Sequence, residues 1–125
     1  MRLTEIFQQL KGLEIFEERS ATDELIDVVF ENRISAAWQE RLESILGPAL
    51  KPQGQKADGQ ASKLTKAFGG IRPEQTLFYK NFGEYAVMAM LWPWGNGRCT
   101  SCKMFRVAPL ESDQNSSLFS RWFKK

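Results

Sequence analysis

Ten consecutive residues, Tyr85-Ala-Val-Met-Ala-Met-Leu-Trp-Pro-Trp94, carry no charge, and this run constrains the fold more than any other stretch of the chain. It is about half of the ~20 residues that a membrane-spanning helix requires. Gly83-Glu84 bounds it on one side and Gly95-Asn96-Gly97 on the other, both of them turn sequences. A short apolar run without alternation, closed by turns, reads as a strand covered on both faces. The two-residue period puts Ala86, Met88, Met90 and Trp92 on one face, and Tyr85, Val87, Ala89 and Leu91 on the other. Pro93 has no N–H to give to a ladder and ends the strand. A strand of this kind needs partners on either side of it.

The flanking sequence supplies them. Thr76–Phe82 leads into Gly83-Glu84, with glycine at the first central position of a II′ turn, and Arg98–Val107 returns after Gly95-Asn96-Gly97. These three segments predict an antiparallel meander. Upstream, Leu13–Glu18 and Glu24–Phe30 flank the polar stretch Arg19–Asp23 and predict a hairpin. Helical periodicity covers residues 3–11, with Thr4 as cap and Gly12 as stop. It returns over 35–46, where Ser35 is the expected N-cap, Ile34, Trp38, Leu42, Ile45 and Leu46 form the apolar stripe, and Gly47-Pro48 is the terminator. A short third helix is expected over Ser62–Phe68, stopped by Gly69-Gly70. Residues 50–62, rich in Gly and Gln, read as a flexible loop. The expectation is a single α+β domain over 1–110, of order α-β-β-α-α-β-β-β, with an antiparallel sheet covered on one face by helices. Residues 111–125 read as a polar spacer followed by a short amphipathic tail, in which Leu118, Phe119, Trp122 and Phe123 share a face beside three cations.

Several function classes drop out on composition. The 125 residues contain no histidine, which removes histidine-based general bases, triads and metal ligands. No paired-acid or nucleophile motif replaces them, so a non-enzymatic role is expected, without a cofactor or a metal. Glu5 stands where a secretory leader would begin its apolar region, and two cysteines do not make a disulfide scaffold. A cytoplasmic location and no membrane insertion follow as expectations. The near-neutral charge hides a split: residues 1–47 hold ten acids and five bases, whereas 48–125 hold five acids and twelve bases. Such a split gives either a basic surface for polyanions or two mutually attracting halves.

Three groups of residues could carry function. Cys99-Thr-Ser-Cys102 has the spacing of redox and zinc motifs. On a strand, however, residues three apart point to opposite faces, about 10 Å from one another. A zinc site would also need a second pair from a second copy of the chain. Lys63, Lys66, Arg72, Lys80 and Lys103, interleaved with aromatics, are candidate polyanion contacts. Trp92-Pro-Trp-Gly-Asn-Gly97 sets two indoles beside a hairpin tip, where they can form a rigid platform for a ligand. The favoured reading is a small binding or adaptor module that takes a protein or peptide partner through Trp92, Trp94, Asn96 and Arg98 together with the 50–62 loop. A homodimer is compatible with this reading. Nucleic-acid binding by the basic half is the alternative, and a thiol-redox or zinc role for Cys99 and Cys102 the second alternative.

Overall fold

A computed structural model describes residues 2–110. The apolar run forms a strand as expected, and the sheet is built around it and its partner. In chain order the elements are α1 (Leu3–Gln9), β1 (Glu17–Ala21), β2 (Leu25–Glu31), a 3-10 turn (Asn32–Ile34), α2 (Ser35–Leu46), α3 (Gly59–Thr65), a second 3-10 turn (Lys66–Phe68), β3 (Thr76–Asn81), β4 (Ala86–Pro93) and β5 (Cys99–Val107). The five strands form one antiparallel sheet of order β1-β2-β5-β4-β3. β5, the last of the described strands, is the middle strand. It pairs with β2 from Leu25↔Phe105 to Glu31↔Cys99 and with β4 from Ala86↔Val107 to Pro93↔Thr100.

This register sorts the side chains. Ile26, Val28, Phe30, Phe78, Val87, Ala89, Leu91, Cys102 and Met104 are buried on one face, under Leu3, Ile6 and Leu10 of α1 and Trp38, Leu42, Ile45 and Leu46 of α2. Trp38 stacks on Phe30 at 4.8 Å between centroids, and its Nε1–H donates to the Glu14 carbonyl at 3.2 Å. On the opposite face, Leu77, Met88 and Met90 pack with Ala61 of α3, joined by Leu50, Leu64, Ile71, Trp92 and Phe105. The helices therefore cover both faces, not one as expected. α3 reaches only the β3–β4–β5 half of the second face, which leaves the β1–β2 half without a helix over it.

Several boundaries differ from the sequence expectation, each for an identifiable reason. β1 begins at Glu17 rather than Leu13. Leu13 instead packs against the α1–α2 core, and the hairpin turn forms around Thr22, whose Oγ1 accepts the N–H groups of Glu24 and Leu25. Polar Arg19 and Ser20 thus belong to the strand. Ser35 does not cap α2. The helix is entered through the 3-10 turn at Asn32–Ile34, and the Ser35 hydroxyl accepts from the Gln39 amide at 3.1 Å. α3 starts three residues early because the Asp58 carboxylate accepts the Ala61 N–H at 2.8 Å, an N-cap inside the expected loop. The loop is also pinned at its start, where Lys51 and Leu77 exchange both main-chain hydrogen bonds. Gly83, at φ +105°, takes the conformation the β3–β4 turn demands. The spacer and amphipathic tail expected over 111–125 lie outside the described residues.

Candidate binding face

The open half of the second sheet face carries the most unusual group of side chains in the molecule. Its floor is set by the register: Trp92, Ser101, Val29 and Glu17 stand in one row across β4, β5, β2 and β1, and Met90, Lys103, Asp27 and Ser20 stand in the next. Lys103 and Asp27 are thus direct cross-strand neighbours of opposite charge, a favourable pairing. They do not pair. The Lys103 ammonium turns away and lies 5.1 Å from the centroid of the Trp92 ring. One carboxylate oxygen of Asp27, Oδ1, is enclosed and meets no hydrogen-bond partner. An enclosed acceptor without a donor costs about 1–3 kcal/mol, and more when it is charged.

The walls of this face come from the tryptophans and from β1. Trp92 packs against the α3 cluster. Pro93 ends the β4 ladder, and Trp94 folds back over the sheet, its Nε1–H donating to the Ser101 hydroxyl at 3.0 Å. The Arg19 guanidinium lies 5.9 Å from the Trp94 centroid and is ion-paired with Glu17 at 2.5 Å. The indole therefore spans from β5 to β1 across Val29, which is fully buried although no helix covers this half. Both indoles are half-buried. Neither stands out at the hairpin tip. The tip itself, Gly95–Arg98, is exposed and held from below. The Asn96 carboxamide accepts the Arg98 N–H at 2.9 Å, the Asn32 amide donates to the Gly97 carbonyl at 2.8 Å, and the Thr100 hydroxyl donates to Asn32 at 2.5 Å.

The expected site residues fare unequally. Trp92 and Trp94 come together with Lys103 on this face, and Asn96 and Arg98 stand at its upper rim. The candidate polyanion contacts do not gather. Lys63 and Lys66 lie on α3 and its 3-10 extension, Arg72 is ion-paired to Glu74 at 3.3 Å in the loop before β3, and Lys80 is at the far end of the sheet on its other face. Cys99 and Cys102 are both buried and both free, on opposite faces of β5. Burial, reinforced by the nearby Asp27 charge, pushes the Cys102 thiol up to about 12, away from the thiolate that redox and metal chemistry need. No cluster of metal-ligating side chains occurs among the described residues, and no helix among them is long and apolar enough to cross a membrane.

Sequence reasoning missed Arg19, Asp27 and Ser101. One signal was available: Asp27 interrupts Leu25-Ile-Asp-Val-Val-Phe30, an otherwise apolar strand. An acid at an inward position of such a strand is either paired or exposed to a ligand. Comparison of the chain with family models, curated proteins and solved structures found no match.

Proposed function

We propose that this chain is a small non-catalytic binding module that takes a protein or peptide segment on the open half of the second sheet face. The observation that carries the reading is the enclosed, unpartnered Oδ1 of Asp27 between two cation–aromatic pairs, Lys103 on Trp92 and Arg19 on Trp94. A peptide segment supplies what this face lacks. Its N–H groups or side-chain amides donate to the second carboxylate oxygen of Asp27, which is not enclosed, its carbonyls or acids accept from Lys103, and its apolar side chains meet the indoles. Tryptophan and arginine in such a setting are the residue types that dominate binding energy at protein interfaces. The exposed tip at Asn96 and Arg98 gives the same face a polar rim.

The test is to pan the immobilised chain against a displayed library of short random peptides. Enriched peptides should bind the wild-type chain and lose on the order of tenfold affinity, ~1.4 kcal/mol, with each of Asp27→Asn, Trp94→Ala and Lys103→Ala. Glu40→Ala, an exposed change on α2, should leave binding unchanged. Failure to enrich any sequence, or binders indifferent to all three changes, would refute the proposal.

A further inference from the structure

A second cluster lies at the opposite end of β4 and on the opposite face of the sheet. Lys80 and Arg106 are both registered on Val87, from β3 and β5 respectively. They flank β4 on one face, two strand spacings or about 10 Å apart. Each cation rests on a ring of the β3–β4 turn. The Lys80 ammonium is 5.3 Å from the Phe82 centroid, and the Arg106 guanidinium carbon is 4.7 Å from the Tyr85 centroid. The two rings stack on each other at 5.8 Å and are half-buried against the helix-side core, so the platform is fixed while both cations stand exposed. Neither cation forms an ion pair among the described residues. Asp23, the acid whose charge couples to both Arg2 and Arg106, accepts from the Thr4 hydroxyl and N–H and forms no ion pair with Arg106. A hollow of about 280 Å³ opens beside Arg106 and Tyr85, with Glu84 on its rim.

We infer that this corner binds single-stranded nucleic acid. Two exposed cations without an ion-pair partner among the described residues, on an aromatic base, meet two phosphates of one strand. The Arg106 guanidinium, its carbon 4.7 Å from the Tyr85 centroid, has a face to offer a nucleobase and an edge to offer a phosphate. A flexible single strand can bring two phosphates to the Lys80–Arg106 separation while keeping a base over the guanidinium. Reading a duplex requires a helix or ribbon that enters a groove, and this two-residue turn projects too little to do so. The surface is separate from the Trp92–Trp94 face, so each proposal stands or falls alone.

The experiment is fluorescence anisotropy of a labelled oligothymidylate of about ten nucleotides, titrated with the full chain between about 50 and 200 mM salt. Binding should weaken as salt rises. The double change Lys80→Gln with Arg106→Gln should weaken it on the order of tenfold and reduce the salt slope by about 1.4, the value for two single-strand phosphate contacts. Arg106→Lys, which keeps the charge and loses the plane, should fall between wild type and the double variant. Glu40→Ala, an exposed change on α2, should bind as wild type does. Both exposed positions can change without unfolding the chain, and an unaltered urea midpoint verifies this. The inference is overturned by salt-independent binding, by no binding at all, or by a double variant that binds like wild type. Stronger retention on phosphatidylserine vesicles than on the oligonucleotide would also overturn it, assigning the corner to an anionic membrane surface.

Discussion

The Lys51 ammonium is buried, the residue being 2% exposed, and it meets no carboxylate among the described residues. Its Nζ donates instead to the carbonyls of Pro52 at 2.9 Å, Pro73 at 2.8 Å and Gln75. Burial makes the proton easier to lose than in an ordinary lysine, with Glu74 opposing the shift. Three carbonyl dipoles compensate the charge where one carboxylate would ordinarily do so. Single groups also set the acid response. Asp23 is held below the ordinary carboxylate value of 3.8, chiefly because the Thr4 hydroxyl donates to it at 2.6 Å. Its contribution to stability is fully present above that value and is lost as pH falls through the lower folded value. Thr4→Val should therefore lower the urea midpoint at neutral pH and leave a smaller further drop near pH 3 than wild type shows. The thiols invite a direct check as well. Neither Cys99 nor Cys102 should react with a maleimide in the folded chain, and both should react in denaturant. Rapid native labelling of Cys102 would contradict its burial.

Among the elements, the β4–β5 hairpin depends on a residue outside it. Asn32 joins the β2–α2 junction to the tip through Gly97 and Thr100, and its own N–H donates to the Arg98 carbonyl at 2.8 Å. Asn32→Ala should cost about 1–2 kcal/mol in chemical denaturation and speed amide exchange at Gly97 and Arg98. Unchanged exchange at the tip would show that Asn32 does not hold it. Asn32 also marks where sequence reading stops. β4 and α2 could be read directly, because an unbroken apolar run and a five-residue stripe survive any tertiary context. β1 could not: Arg19 and Ser20 are polar because their half of the sheet has no helix above it, and nothing in that segment announces this. The expected cap at Ser35 failed for a related reason. Ser35 has the right chemistry, but the chain enters α2 through Asn32–Ile34, which is committed to the hairpin tip.

Across the whole molecule, β5 stands between β2 and β4, so a strand of the basic half of the chain lies beside one of the acidic half. The charge split therefore does not become two opposed faces, and its most telling outcome is local, with Lys103 and Asp27 adjacent on the open sheet face. The two sheet edges are blunted in different ways. β1 is short, carries Glu17 and Glu18, and shifts register between Glu18 and Ser20. β3 has part of its outer edge covered by the main chain of Lys51. Both are devices that discourage edge-to-edge pairing of copies. The candidate peptide face was half legible: the two tryptophans and Lys103 were visible in the sequence, whereas β1–β2 closed the site only once the sheet order was known.

The central place of β5 also has a consequence for how the protein is made. Within this sheet, β1–β2 and β3–β4 share no ladder until β5 joins them. A ribosome that extends the chain by 5–20 residues per second leaves an interval on the order of 4–15 s between the end of β2 at Glu31 and the end of β5 at Val107. For that time β2 lacks its partner on the edge that β5 covers. Translation speed over residues 32–107 should therefore change the yield of a sheet whose keystone strand is made after the other four.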